Sequence, residues 1–127
     1  MALDRGGSCR GVIQRLPRER ARECLGQLIR REMSVKPSTN QPRWVTVESN
    51  GERLRAIAVA ADRAGYNYDG GRGIDDIADV LSRAVGHWGS GAEYLLQTVT
   101  HLEELGIHDP YLWKLQELVA ERIRTAP

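Results

Sequence analysis

Apolar residues recur at helical spacing in the stretch that follows Pro17. Leu25, Leu28 and Ile29 occupy positions i, i+3 and i+4, which places them on one face of a helix. A proline is tolerated in the first turn of a helix, because its missing N–H would have no partner there. The pattern therefore predicts an amphipathic helix over residues 18–33.

Two other stretches are typical of β-strands. Residues 44–47 and 54–60 are rich in strand-forming side chains, and the Asn50-Gly51 pair between them suits the type I′ turn of a hairpin. The Ala, Ile and Val content of residues 54–60 indicates deep burial. An imperfect alternation over residues 8–16 predicts a further strand. These strands together predict a small sheet.

The second half of the chain predicts three helices, beginning at residues 74, 92 and 110. Gly106 is expected to cap the second of them, and Asp109-Pro110 supplies the N-cap and first residue of the third. The positions expected to face a core are Ile74, Ile77, Val80, Leu81 and Ala84, then Leu95, Leu96, Val99 and Leu102, then Leu112, Leu115, Leu118, Val119 and Ile123. A strand, a helix, a hairpin and three helices indicate an α+β fold.

Composition narrows the classes of function. The 127 residues suit one domain with its own core. The formal net charge is +1 and acids are interleaved with the arginines, so we expect neither nucleic acid nor a membrane surface as a partner. No stretch is long and apolar enough to span a bilayer. Cys9 and Cys24 are too few for a disulfide framework, which predicts free thiols and a cytoplasmic location.

Few side chains have the spacing of a catalytic or metal-binding site. His87, His101 and His108 lack the spacing of metal ligands, and no cysteine is near them, so we expect no metal site. Glu32, at the end of the first predicted helix, is the carboxylate that we select for chemistry. Spacing alone favours a simpler interpretation, an exposed acid on an amphipathic helix. For Tyr94, spacing alone favours a ring packed inward with its hydroxyl at the rim.

Six motifs follow one another in an order that extends over nearly the whole chain. They are Arg5-Gly6-Gly7-Ser8-Cys9-Arg10-Gly11-Val12, Arg15-Leu16-Pro17, Arg30-Arg31-Glu32-Met33, Asn67-Tyr68, and the segments over residues 91–99 and 101–109. In this order they resemble the ChaC family. The match over residues 91–109 is more specific than any of the short motifs.

The resemblance implies an enzyme, a glutathione-specific γ-glutamylcyclotransferase that cuts glutathione into 5-oxoproline and cysteinylglycine. It implies the γ-glutamylcyclotransferase-like mixed fold, a small barrel-like sheet flanked by helices. The family's catalytic glutamate matches the glutamate of Arg31-Glu32, so Glu32 is the expected acid and base. A second acid in the same helix matches Glu23, and Tyr94 matches a tyrosine of the family, so both are expected to bind substrate. No metal or organic cofactor is implied.

One motif of the family has no match in these 127 residues. It is a Tyr-Gly-Ser-Leu loop after the first strand, which holds the glutamyl end of the substrate. We therefore expect a ChaC-like domain truncated at its N-terminus, with an incomplete sheet whose exposed edge is open to self-association. Such a chain is expected to be weak or inactive on glutathione. The alternative is a non-catalytic ChaC-like remnant that acts through association with proteins, and the sequence leaves open whether Met1 is the true start.

Overall fold

The computed structural model describes residues 3–4, 6, 8–34, 36–66, 68–87 and 89–126. Two compact units, Met1–Gly70 and Gly71–Pro127, divide the chain, and each is taken by itself. The predicted features that involve Arg5, Gly7 and Asn67 lie outside the described residues. One domain over residues 1–127 stays a prediction.

The first unit contains the helix expected after Pro17. A 3-10 turn, Arg18–Arg20, leads into α1 (Ala21–Glu32). Glu23 lies in the first turn and two arginines lie in the last turn. These charges are opposite in sign to the partial charges at the respective helix ends and therefore stabilise the helix. The predicted helix is confirmed.

A β-hairpin follows α1 in the chain. Strands β1 (Asn40–Ser49) and β2 (Glu52–Ala61) pair antiparallel in one continuous register that ends beside the turn. Asn50 has φ 52° and Gly51 has φ 78°, and positive φ at both central residues is the geometry of a type I′ turn. The hairpin prediction is confirmed, and both strands are longer than the pattern indicated.

The predicted strand over residues 8–16 is wrong, because these residues are irregular and exposed. Their alternation is imperfect, so they offer no continuous apolar face for a sheet. Leu3 instead reaches the outer edge of β2 and forms an isolated parallel bridge with Ala60. The Leu3 N–H donates to the carbonyl of Val59 at 3.3 Å, and its carbonyl accepts from the N–H of Ala61 at 2.7 Å.

The deep burial predicted for residues 54–60 is also wrong. Residues 56–61 of β2 are half-buried, residues 54 and 55 are exposed, and no described residue of the first unit is buried. A hairpin of two strands has too little area to cover its own apolar side chains. The composition of β2 indicated strand formation correctly, but burial depends on a further layer.

The second unit is a bundle of three helices, α2 (Ile74–Arg83), α3 (Gly91–Glu104) and α4 (Pro110–Thr125). Between α2 and α3, the two-residue strands β3 (Val85–Gly86) and β4 (Gly89–Ser90) pair. The core side chains are at most 4% exposed and come from all three helices: Ala78, Leu95, Val99, Leu115 and Val119. Among the described residues, no helix has the length and apolar character needed to cross a bilayer.

Helix type was predicted better than helix face. Val80, Leu96 and Ile123 were expected to face the core, but they are 47%, 52% and 50% exposed. Ala78 was not selected and is fully buried. It belongs to the same core cluster as the buried residues of α3 and α4, and a search for large apolar residues does not select an alanine. These observations confirm the α+β class and correct the position of the core.

The ends of the helices follow local rules. The carboxylate of Asp109 accepts hydrogen bonds from the N–H groups of Tyr111 and Leu112, and Pro110 is the first residue of α4, as predicted. Gly106 has φ 69° after the end of α3, which confirms the predicted glycine cap. Because these caps use neighbours in sequence, they could be recognised without the fold.

Candidate active site

Glu32 is the last residue of α1, so its position depends on where that helix ends. Helix-forming Glu, Arg, Leu and Gln side chains favour α1 up to this point. The Glu32 side chain is 29% exposed. The backbone carbonyl of Glu32 accepts a hydrogen bond of 3.3 Å from Nδ2 of Asn40, the first residue of β1. The predicted catalytic carboxylate therefore lies on a partly covered helix end rather than on a loop.

The Glu32 carboxylate is paired with Arg31. Oε1 of Glu32 lies 2.8 Å from Nε of Arg31 and 2.7 Å from its Nη2. The C-terminus of a helix carries a partial negative charge, so a carboxylate there is favoured by an adjacent cation. Both guanidinium contacts reach one oxygen of Glu32. The arrangement provides a carboxylate that could exchange a proton with a bound amine once that amine reaches it.

Glu23 lies nine residues before Glu32 in α1, near the opposite side of the helix and roughly 13 Å away along its axis. Its two carboxylate oxygens accept from Arg20 Nε at 3.0 Å and Nη2 at 3.1 Å, and Gln27 Nε2 donates at 3.2 Å. The Glu23 carboxylate raises the pKa of the Arg20 guanidinium. The structure therefore does not bring Glu23 and Glu32 together, and substrate binding by Glu23 stays a prediction.

Tyr94 belongs to the second unit. It lies in the first turn of α3, and its carbonyl accepts a hydrogen bond of 2.8 Å from Oγ1 of Thr98. Its side chain is 53% exposed, so the ring is not part of the helical core. An exposed ring with a polar end can bind a ligand, and the role of Tyr94 in substrate binding stays a prediction.

The sequence profile of the family described as ChaC-like protein matches residues 1–122 of this chain. The chain belongs to the ChaC-like family. A curated relative, the glutathione-specific gamma-glutamylcyclotransferase of Escherichia coli (strain K12), is 30% identical over 126 residues. That alignment covers 95% of this chain and 54% of the relative. The ChaC-like chain therefore spans about half the length of the curated relative that it matches.

Residues 101–109, the second half of the most specific match, form the last turn of α3 and the connection to α4 in this ChaC-like chain. Oε1 of Glu103 accepts from Nε1 of Trp113 at 2.7 Å and lies 2.8 Å from Nδ1 of His108. The rings of His108 and Trp113 are 5.6 Å apart between centroids. The Trp113 indole and then the His108 ring lower the pKa of Glu103. In the described geometry these residues hold a turn, which accounts for them without a catalytic role.

Two contacts in the ChaC-like chain were missed at the level of sequence. Ser90 and Glu93 form a capping box at the start of α3, and hydrogen bonds from the Ser90 backbone and hydroxyl lower the pKa of Glu93. The Ser-x-x-Glu spacing before an apolar run would have indicated it. The contact between Asn40 and Glu32 had no such signal, because its partners belong to different elements.

The candidate chemistry of the ChaC-like chain rests on carboxylates. Across the part of the chain that the structure describes, no three His, Cys, Asp or Glu side chains are grouped closely enough to hold a metal ion. Cys9 is exposed, Cys24 is half-buried, and both are free thiols. Glu32 stays the predicted catalytic side chain, and the structure shows it partly buried at the end of α1.

Proposed function

We propose that this ChaC-like chain carries γ-glutamylcyclotransferase chemistry on glutathione, with Glu32 as the acid and base. The observation that carries the proposal is the Glu32 carboxylate, which is partly buried at the end of α1 in the Arg31-Glu32 pair. Membership of the ChaC-like family supports it, and so does the activity named for the Escherichia coli relative. Because the chain spans about half of that relative, its own activity and substrate are proposals.

The reaction requires a proton to move between two nitrogens of the substrate. The α-amine of the γ-glutamyl group arrives as an ammonium ion, and Glu32 accepts one of its protons. The freed nitrogen lone pair attacks the γ-carbonyl carbon and closes a five-membered ring, and the carbonyl π electrons move onto the oxygen until the carbonyl re-forms. The ring nitrogen then carries two hydrogens and releases one of them to water to become the lactam N–H. Positioned carboxylates perform such transfers when they lie within hydrogen-bonding reach of the proton.

The second half of the reaction returns the proton. The C–N bond between the γ-carbon and the cysteine nitrogen breaks, and its electron pair stays on that nitrogen. Protonated Glu32 then donates its proton to the leaving amine, which departs as cysteinylglycine and leaves 5-oxoproline. Ring closure is intramolecular, so holding the substrate in a closed conformation supplies much of the acceleration. These bond changes and proton transfers need no oxidant, metal or organic cofactor.

We further propose a cytoplasmic location, because glutathione is the thiol that keeps this compartment reducing. Turnover by these 127 residues by themselves is expected to be slow, since the sequence contains no Tyr-Gly-Ser-Leu loop. Loss of one donor to a developing oxyanion typically costs about a hundredfold to a thousandfold in rate. A slow reaction that depends on Glu32 is therefore the expected result.

The test is an assay of purified chain with glutathione, in which mass spectrometry quantifies 5-oxoproline. Three proteins are compared: the natural chain, Glu32→Gln and Glu19→Gln. Glu19 is an exposed acid in the 3-10 turn before α1, so its variant controls for the loss of one negative charge. We expect the natural chain and Glu19→Gln to form 5-oxoproline at equal rates and Glu32→Gln to form none above the uncatalysed rate. Equal rates for the natural chain and Glu32→Gln would contradict the proposal.

Self-association is a second candidate property, and the edge of β1 favours it. Within the described residues β1 pairs with β2, and no other strand lies beside its outer edge. The register and the two-residue turn direct the N–H of Thr46 away from β2, where it can pair with another chain. Light scattering after size exclusion should show a dimer, and Thr46→Pro should return it to a monomer. A natural chain that is monomeric at high concentration would exclude this property.

A further inference from the structure

We propose that Asn40 is a positioning residue for Glu32. The inference rests on the proposed cyclotransferase activity and adds a residue that acts through the candidate catalytic carboxylate. Nδ2 of Asn40 donates a hydrogen bond of 3.3 Å to the carbonyl oxygen of Glu32. This contact connects the first residue of β1 to the last residue of α1. A change at Asn40 therefore acts on the backbone that carries Glu32.

The end of α1 requires a donor from outside the helix. The last carbonyl groups of an α-helix have no N–H partner within the helix. In α1 the N–H of Met33 closes the last turn by donating to the carbonyl of Ile29 at 2.9 Å. The carbonyl of Glu32 lies beyond that bond, so the Asn40 amide fixes the direction of its peptide group. That direction sets where the Glu32 side chain begins.

Asn40 is itself held by its surroundings. Oγ of Ser38 donates to the carbonyl of Asn40 at 2.7 Å and accepts from its N–H at 3.3 Å. Asn40 also pairs with Ala61 at the end of the hairpin. The residue is half-buried, which limits the number of conformations open to its amide. The hydrogen bond thus restrains the end of α1 through a residue that the hairpin holds in place.

The chemical requirement at position 40 is a neutral donor. Leucine has nearly the shape of asparagine but no N–H, so Asn40→Leu removes the hydrogen bond and keeps the volume. Asn40→Gln retains the amide on a longer side chain. Gln41 provides the matched control, because it is the next residue of β1 and its Oε1 accepts from Nη2 of Arg43 at 2.7 Å. Gln41→Leu therefore removes an amide from the same strand without touching the bond to Glu32.

The kinetic test compares kcat and KM for glutathione in these three variants. We expect Asn40→Leu to lower kcat by about tenfold or more with KM within about twofold of the natural value, since small displacements of a reacting group can cost up to about a hundredfold. Asn40→Gln should recover part of that loss, and Gln41→Leu should retain the natural kcat. Equal kcat in Asn40→Leu and Gln41→Leu would overturn the proposal. Equal losses in Asn40→Leu and Asn40→Gln would also overturn it.

Two measurements separate this inference from the proposed function. Glu32→Gln in the same assay tests the proposed function. If that function is wrong, the natural chain and Glu32→Gln form 5-oxoproline at equal rates. In that case ¹⁵N relaxation of the Glu32 and Met33 amides decides the positioning role. Increased motion at these amides in Asn40→Leu, and not in Gln41→Leu, supports it. Unchanged relaxation at both amides in Asn40→Leu overturns it.

Discussion

Arg31 donates to the carboxylate of Glu32, the residue that follows it in α1, through both Nε at 2.8 Å and Nη2 at 2.7 Å. Because both contacts reach Oε1, an ammonium group of a substrate would have to compete with the guanidinium for that oxygen. The Arg31 side chain is 77% exposed, and exposed ion pairs contribute little free energy. The pair should therefore be displaced readily.

Arg31→Gln tests this competition. Removal of the guanidinium should lower KM for glutathione by up to about fivefold, a factor equivalent to about 1 kcal/mol, which is the upper range for an exposed pair. Arg30→Gln, on the same exposed turn, should leave KM unchanged. A higher KM in Arg31→Gln would mean that the guanidinium binds a carboxylate of the substrate instead.

Glu23→Gln tests the predicted role of the second acid in α1. If Glu23 binds the substrate, KM for glutathione should rise about tenfold, because a hydrogen bond to a charged group is worth about 1.5 to 3 kcal/mol. The kcat should be retained, because the lost contact would stabilise the bound substrate and the transition state equally. Unchanged KM would restrict Glu23 to its network with Arg20 and Gln27. Glu19→Gln again controls for charge.

Leu95 and Leu96 form a matched pair for the core of the second unit. Leu95 is 3% exposed and Leu96 is 52% exposed, although they are neighbours in α3. Leu95→Ala should lower the free energy of unfolding by about 2 to 5 kcal/mol, because it leaves a cavity. Leu96→Ala should change it by about 0.5 kcal/mol. Guanidinium titration followed by circular dichroism measures both free energies of unfolding. Equal losses in the two variants would show that Leu95 does not lie on the buried face of α3.

Glu103 should make stability depend on acid pH. The Trp113 indole, with a further contribution from His108, lowers the pKa of Glu103 in the folded chain. Its contribution to the free energy of unfolding is therefore present above the unfolded-state pKa, about 4.3, and is lost as pH falls through the lower folded-state pKa. As the pH falls below about 4.3, the free energy of unfolding of Glu103→Gln should decrease less steeply than that of the natural chain.

Glu121→Gln is the control for this pH dependence, since Glu121 is an exposed acid on α4. Urea titrations at a series of pH values give the free energy of unfolding for each protein. Glu121→Gln should follow the natural chain. Parallel pH curves for Glu103→Gln and the natural chain would show that the contacts of Glu103 do not persist in solution.

The features that sequence predicted best are those decided by neighbours along the chain. The Asn50-Gly51 turn and the Asp109-Pro110 helix start follow from the conformations and hydrogen bonds of the residues themselves. The extent of burial could not be predicted in the same way. Residues 54–60 have the composition of a buried strand, yet they need a further layer that the pattern does not supply.

The candidate site shows the same division. Glu32 was selected from the Arg31-Glu32 match, and the structure adds the ion pair and the partial burial of its side chain. Asn40 could not be selected, because its bond to the Glu32 carbonyl depends on how the hairpin meets the end of α1. The family motif identifies a carboxylate, whereas the groups that hold it come from the fold.

The uneven burial of the two units has a consequence for amide hydrogen exchange. Every described side chain with at most 4% exposure belongs to the helices of the second unit, so the amides of α2, α3 and α4 should exchange only through cooperative opening. The ladder of β1 and β2 lacks such a core and should open locally. Deuterium should therefore label the hairpin, and the Asn40 end that holds α1, long before it labels the bundle.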